Sequence, residues 1–371
     1  MAIVVDTVNF TVDGDGAADT ITVASDNWAI DAGAGANTIS AGDGDNVITA
    51  EIGADTITVG DGSNNIAAGD GANTITAGGV AASFNTITTG IGADTITVGN
   101  GTNNIEAGDG ANTITAGTGS NTITSGSGID MITAMSGSES TNTIEAGDGD
   151  NQIITGSGQD NITTGSGNDT ITAGAGDDVI TVTGGLDTVT AGSGNDTLVI
   201  DLSEMSTNMN SGAMAGDGTY EGKFGDGSAN ITTYSSVEAF DITTGSGHDI
   251  ITTGDGDDTL DGGAGNDTLD GGAGSNLLTG GLGADTFQFG PDAGTNTITD
   301  FAVGEDSLDF SAMLLGFTTG DVQSDFIQFT TDGVDTVVWV NADGEGDDFE
   351  EVAILGGQSV DLTDSASLFL G

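Results

Sequence analysis

Along most of the chain a branched aliphatic residue returns every nine positions, set between polar residues and preceded by a Gly-rich stretch. From Gly14 to Val199 the pattern runs as 20 units of the form x-G-x-G-x-[D/N]-x-[I/V/L]-x. Eighteen have nine residues, and two, 77–88 and 134–145, have twelve. The eighth position is Ile21, Ile30, Ile39, Ile48, Ile57, Ile66 and so on to Ile180, Val189 and Leu198, with Ile87 and Ile144 in the longer units. A longer identity overlies this period: residues 52–78 and 91–117 differ at three of 27 positions.

One apolar residue and two glycines in nine cannot make a helix. Six residues suit a Gly-rich turn and three a short strand whose middle residue points inward. Two units then make one turn of a flattened right-handed coil of parallel strands, and stacked turns bury the aliphatic columns. The expected class is all-β, with each turn rising ~4.8 Å, so ten turns span roughly 48 Å.

Residues 262–270, Gly-Gly-Ala-Gly-Asn-Asp-Thr-Leu-Asp, match GGxGxDxUx in full. Five units cover 244–288, with Asp249, Asp258, Asp267, Asn276 and Asp285 at position six. This wording resembles the RTX (hemolysin-type) calcium-binding nonapeptide repeat. The resemblance implies a parallel β-roll with multiple Ca²⁺ ions between turns, held by position-six Asp and loop carbonyls. Glycines at positions two and four, such as Gly165, Gly167, Gly174, Gly176, Gly254, Gly256, Gly263 and Gly265, permit positive φ and let carbonyls converge. Carboxylates and carbonyls are hard ligands suited to Ca²⁺. The plainer alternative is an Asx-turn, in which Asp caps its own loop.

With two units per turn, odd and even units lie on opposite sides. At position six the odd side carries Asp19, Asn37, Asp55, Asn73, Asp94, Asn112, Asp130, Asn151, Asp169 and Asp187. The even side carries Trp28, then Asn from Asn46 to Asn142, then Asp160, Asp178 and Asp196. Amides stack without repulsion and ligate weakly. The expectation is calcium on both sides after about residue 155, partial occupancy on the odd side before it, and none along Asn46–Asn142. Extra residues of the two long units, near Ala81–Ser83 and Glu139–Thr141, should bulge from the even side.

Positions seven and nine face outward. In six odd units they read Thr20 and Thr22, Thr38 and Ser40, Thr56 and Thr58, Thr74 and Thr76, Thr95 and Thr97, and Thr113 and Thr115. Such a face resembles those of ice-binding solenoids. The bland reading is that Thr suits an exposed strand.

The repeat breaks at 200–243, which holds the single Lys (Lys223) and both Tyr and reads as an insertion covering the roll or a subunit contact. From 289 to 371 the chain turns aromatic and aliphatic, with strand alternation in Asp325–Phe329 and Thr336–Val340 and a turn at Asn341–Gly346. That segment resembles the C-terminal target domain of type I secretion substrates, which implies the secretion apparatus as a partner. The domain plan is therefore 1–13 cap, 14–199 first roll, 200–243 insertion, 244–288 second roll and 289–371 secretion module. Asn341–Asp347 lacks the Glu of an EF-hand, with Val352 at position twelve.

Composition narrows function. Fifty-eight acids against one Lys give a net charge of −57 in 371 residues. Such a chain cannot neutralise phosphates, which excludes nucleic-acid binding, and an anionic membrane repels it. There is no Cys, and one His, His248, in a loop position. No apolar run is long enough for a membrane span or a Sec signal, so no membrane insertion and a non-Sec export route are expected. No H-E-x-x-H occurs, and no separate catalytic domain is expected. The sequence points to a secreted or cell-surface structural protein that folds on Ca²⁺ and self-assembles as a layer, filament or matrix. An ice-binding or adhesin module is the alternative.

Overall fold

A computed structural model describes residues 4–6, 10–211, 222–314, 323–331, 333–346 and 348–357. The chain divides into two compact units, Met1–Asp196 and Thr197–Gly371.

In the first unit parallel strands fall alternately into two sheets. One holds odd-unit strands such as Thr20–Val23, Thr38–Ala41, Thr56–Val59 and Thr74–Ala77. The other holds Ala29–Asp31, Val47–Thr49, Asn65–Gly69 and Phe84–Thr89 and their successors. Equivalent residues pair at a spacing of 18, as Ile21 with Ile39 and Ile39 with Ile57. Across the long units the spacing is 21, as Ile66 with Ile87 and Ile123 with Ile144. Tight turns absorb the extra residues: Ser83 N–H donates to Val80 O at 2.8 Å and Ser140 N–H to Gly137 O at 2.9 Å. This all-β parallel roll has the architecture that the nonapeptide period predicts.

The core is wider than the Ile columns. Strand Thr56–Val59 alternates exposed and buried, so Ile57 and Val59 are both inside. Asp55, just before it, is 1% exposed. Positions six, eight and one of the next unit therefore all face inward, and seven and nine face out. Position one is Ala or Val in most units, such as Ala41, Val98 and Ala116.

Loops stack as closely as strands do. Position-four N–H groups donate to position-three carbonyls a turn away, as Gly53 to Asp70 O and Gly92 to Asp109 O, both at 2.8 Å. A Cβ on Gly71 would fall 1.7 Å from Gly53 O, so only glycine fits there. The parallel run of the even sheet starts at Thr11–Asp13, which pairs with Ala29–Asp31, and the Trp28 ring packs edge-on against Phe10 at 5.2 Å.

The second unit carries the same alternation with larger cores. Thr197–Asp201, Ala239–Thr243, Thr259–Asp261, Leu277–Thr279 and Asn296–Ile298 run parallel in one sheet. Ile250–Thr252, Thr268–Asp270, Thr286–Gln288 and Ser307–Asp309 run parallel in the other. The stretch 200–243, expected to interrupt the roll, thus supplies a roll strand at Ala239–Thr243, and Asn210 pairs with Ile250. Among the described residues of this stretch Gly222–Gly225 departs from the parallel pattern, pairing antiparallel with both Asn210–Ser211 and Ile231–Ser235. Phe287 of the last repeat and, beyond it, Phe289, Phe301 and Phe310 fill the core, with Phe289 stacked on Phe310 at 4.8 Å. Ile327–Thr331, Thr336–Val340 and Glu350–Leu355 close it as antiparallel strands, the expected turn at 341–346 joining the last two. The apolar ending at 360–370 lies outside the described residues, as do Met214 and Tyr220. Among the described residues no helix is long and apolar enough to cross a membrane.

We expect Ile96→Ala, at a fully buried position, to cost about 2–5 kcal/mol in calcium-saturated denaturant titration. Thr97→Ala, on the exposed face beside it, should stay within about 0.5 kcal/mol. Equal costs would refute this assignment of faces.

Candidate metal sites in the loops

The sites grow out of position six. Its Oδ1 serves Asp and Asn alike: in most turns it accepts the position-six N–H of the preceding turn. Asn37 N–H donates to Asp55 Oδ1 at 2.7 Å, and Asp55 N–H to Asn73 Oδ1 at 3.0 Å. The same link joins Asp94 to Asn112, Asp130 to Asn151, Asp169 to Asp187 and Asp178 to Asp196.

The second side-chain atom decides the chemistry. In Asn37 and Asn73 the Nδ2 group donates to the carbonyls of its own positions two and four, all at 3.0 Å. An Asp presents an oxygen in that place. Oδ2 of Asp55, Asp94, Asp130, Asp169, Asp178 and Asp187 is buried with no hydrogen-bond partner. The same holds for Asp249, Asp258, Asp267 and Asp285 in the second unit. Asn satisfies the loop carbonyls with its own protons, whereas Asp adds a negative oxygen facing them. Such a set of oxygens is stable only around a proton or a cation.

Electrostatics agrees. Burial pushes Asp178, Asp187, Asp258 and Asp267 up to about 7, and neighbouring carboxylates add to the rise. On Asp178 these are Asp160, Asp196 and Asp177. Burial likewise raises Asp55, Asp94, Asp130, Asp160, Asp169 and Asp285. Among the described residues no three acidic or imidazole side chains converge. The donors available to an ion are therefore carboxylates of stacked turns and loop carbonyls, an all-oxygen set that fits Ca²⁺. Bound there, Ca²⁺ supplies the positive charge that these loops lack.

The two sides differ as their side chains require. On the even side the amides bond to one another: Asn46 Nδ2 donates to Asn64 Oδ1, Asn64 to Asn85 and Asn85 to Asn103, at 2.9–3.0 Å. Asn103 continues to Asn121 at 2.8 Å and Asn121 to Asn142 at 2.9 Å. Orphaned carboxylate oxygens begin on that side at Asp178, because Asp160 Oδ2 accepts from Ser136 Oγ at 3.2 Å. Trp28 ends the ladder by imitation: its Nε1–H donates to Ala24 O, four residues back, as an Asn would. Asp19 is only half-buried, and its Oδ2 accepts the Asp15 N–H at 3.0 Å.

The glycines divide. Gly167, Gly174, Gly176, Gly256, Gly263 and Gly265 adopt positive φ. Gly165 and Gly254 do not, which corrects the expectation for both. Gly165 is needed for closeness instead, since a Cβ there would lie 2.6 Å from Asp148 Oδ1.

The Thr face holds its register in both of its columns. At position seven Thr20 pairs with Thr38, Thr38 with Thr56, Thr56 with Thr74, Thr74 with Thr95 and Thr95 with Thr113. At position nine Thr22 pairs with Ser40, Ser40 with Thr58, Thr58 with Thr76, Thr76 with Thr97 and Thr97 with Thr115. All of these side chains are exposed. They lie on the outer surface of the sheet, away from the loops, so Thr22, Thr58, Thr76 and Thr115 take no part in the metal sites.

Two column members escape a strict nine-residue period. Asp285 N–H donates to Asp306 Oδ1 at 2.9 Å, and Asn276 Nδ2 to Asn296 Oδ1 at 2.7 Å. Each precedes an x-aliphatic pair, Ser307-Leu308 and Thr297-Ile298, which was the signal available.

The chain matches the model of the RTX calcium-binding nonapeptide repeat over segments between 30–198 and 241–298, well over half its length. It belongs to that family, whose repeats bind multiple Ca²⁺ ions in a β-roll of typically structural role. No curated protein matches the chain. The solved extracellular lipase LipA from Serratia marcescens is similar over 65% of this chain, at 19% identity and TM-score 0.23. The chain spans 40% of that lipase's length, and at that score the likeness carries no argument.

The orphaned oxygens make stability depend on pH and on calcium together. A metal-free roll retains protons on carboxyls raised to about 7, whereas the unfolded chain releases them near ~3.9. Its stability is therefore full below about 4 and is lost as pH rises through about 7. In excess EDTA, β circular dichroism should be stronger at pH 4.5 than at pH 7.5; equal signals would contradict this. Asp178→Asn should stabilise the EDTA-treated protein by about 1–3 kcal/mol. In millimolar Ca²⁺ the same change should lower the thermal midpoint, and one sign in both conditions would count against the site.

Proposed function

We propose that this chain is a secreted structural protein of a bacterial surface or matrix. It folds where Ca²⁺ is abundant and assembles with copies of itself into a layer or filament. The observation carrying this reading is the row of buried, unpartnered position-six carboxylate oxygens. Without cations they disfavour the roll, and ions that bind only the folded state stabilise it by mass action. The ligands in this reading are Asp55, Asp94, Asp130, Asp160, Asp169, Asp178, Asp187, Asp196, Asp249, Asp258, Asp267 and Asp285. Asp306 extends the column of Asp285 in the second unit, and Asp19 is the weaker end of the odd column in the first. Loop carbonyls complete the sites. The amide-filled even side from Asn46 to Asn142 takes no ion.

Export in this scheme follows the type I route typical of RTX proteins, with the C-terminal segment as its signal. Calcium scarcity inside the cell then keeps the chain unfolded and translocatable. Assembly has a flat, stackable surface in the exposed Thr rows of the odd sheet. The same rows support the second reading, ice binding, which requires that face to stay free.

Electron microscopy of the purified chain with and without Ca²⁺ tests the first reading. Ordered sheets or fibres only with Ca²⁺ are expected. Persistent monomers in Ca²⁺, with thermal hysteresis at micromolar protein, would shift the assignment to ice binding.

A further inference from the structure

Position one carries a signal that the repeat motif does not require. In every unit with Asn at position six it is Ala, Val or Gly, for instance Ala32, Val59 and Ala107. A hydroxyl stands there only beside Asp: Thr89 with Asp94, Ser125 with Asp130, Thr155 with Asp160, Thr164 with Asp169, Thr244 with Asp249 and Thr253 with Asp258. All six hydroxyl residues are buried.

Counting protons shows what these oxygens can do. A hydroxyl has one proton and two lone pairs. Thr89 donates its proton to Ala107 O at 2.6 Å, Ser125 to Ala146 O at 2.9 Å, Thr244 to Gly262 O at 2.9 Å, and Thr155 to Ala173 O. Each acceptor is the position-one carbonyl of the next turn. The hydroxyl keeps only lone pairs for its own loop, where Oδ2 of Asp94, Asp130 and Asp249 also lacks a donor. Thr164 Oγ1 and Thr253 Oγ1 form no hydrogen bond at all, and neither does Oδ2 of Asp169 or Asp258. Position one lies directly beside Oδ2 in this fold: a Cβ built on Gly262 would fall 2.8 Å from Oδ2 of Asp267, and one on Gly280 2.5 Å from Oδ2 of Asp285. Bonding to the next carbonyl does not account for the restriction of the hydroxyl to Asp units, because Asn units offer the same carbonyl and leave position one apolar.

We propose that these six hydroxyls are metal ligands. The sites at Asp94, Asp130, Asp160, Asp169, Asp249 and Asp258 then carry one more protein oxygen than those at Asp55, Asp178, Asp187, Asp267 and Asp285. The roll would hold two grades of site, the hydroxyl-bearing ones less hydrated. This inference rests on the calcium reading above. It adds a neutral ligand suited to a cation of six to eight coordination, in place of a water.

Tb³⁺ luminescence lifetimes in H₂O and D₂O count the waters on bound ions in the full chain. The variant carries Thr89→Val, Ser125→Ala, Thr155→Val, Thr164→Val, Thr244→Val and Thr253→Val. Val182, beside Asp187, is a native precedent for Val at this position. About one extra water per altered site is expected, with affinity there falling about tenfold. Unchanged hydration on a folded variant that still binds Tb³⁺ would overturn the inference. Native protein that binds no Tb³⁺ would instead overturn the calcium reading. If the sixfold variant does not fold, Ala173→Thr with Val182→Thr decides. Hydration at those two sites should drop by about one water each, and no drop overturns the proposal.

Discussion

The structure depends on the atom that position six presents to its own loop carbonyls. A Gly-rich turn converges two carbonyls on one buried point. An amide N–H₂ answers them from within the chain, and a carboxylate oxygen cannot. One isosteric exchange, Asn for Asp, therefore separates a loop that closes unaided from a loop that waits for a cation. Everything else in the roll repeats around that choice: the aliphatic column beside it, the small residue at position one, and the tight stacking of the loops.

The charge gains a location from this. A net −57 with one Lys would spread a compact chain apart if all of it lay in water. Part of it sits in columns only 0–2% exposed, where burial, with mutual repulsion added, pushes Asp178 and Asp187 up to about 7. Those carboxylates act on folding far more than on surface character. The even side from Asn46 to Asn142 shows the alternative, an amide ladder bonded along its length, which adds turns without adding buried charge. Alternating Asp and Asn on the odd side halves the density of carboxylates there.

Much of this was legible in the order of residues. The aliphatic at position eight set the period, the period set two units per turn, and the turn set which acids share a column. The amide ladder and the Thr rows followed from counting alone. Other parts were not. Position one reads as a loop residue, since nothing in x-G-x-G declares that the strand runs on into it, yet Val59 and Ala77 are as buried as the aliphatic column. Asp306 and Asn296 were hidden because their loops abandon the nine-residue spacing while keeping the stacking. Phe240 is another such member: its N–H donates to Asp258 Oδ1 at 2.8 Å, although no motif precedes it. Trp28 looked like a break in its column and is its cap.

By itself the sequence determined the repeat, the strand positions, the two-sidedness and the type of ligand, because a strict period leaves one way to stack. Only the tertiary structure decided which oxygens lack a partner. That property belongs to no residue alone. It arises when a carboxylate of one turn, the N–H of the turn before and the carbonyls of its own loop are brought within bonding distance. It is also why Asp160, which meets Ser136, differs from Asp178, which has no such neighbour.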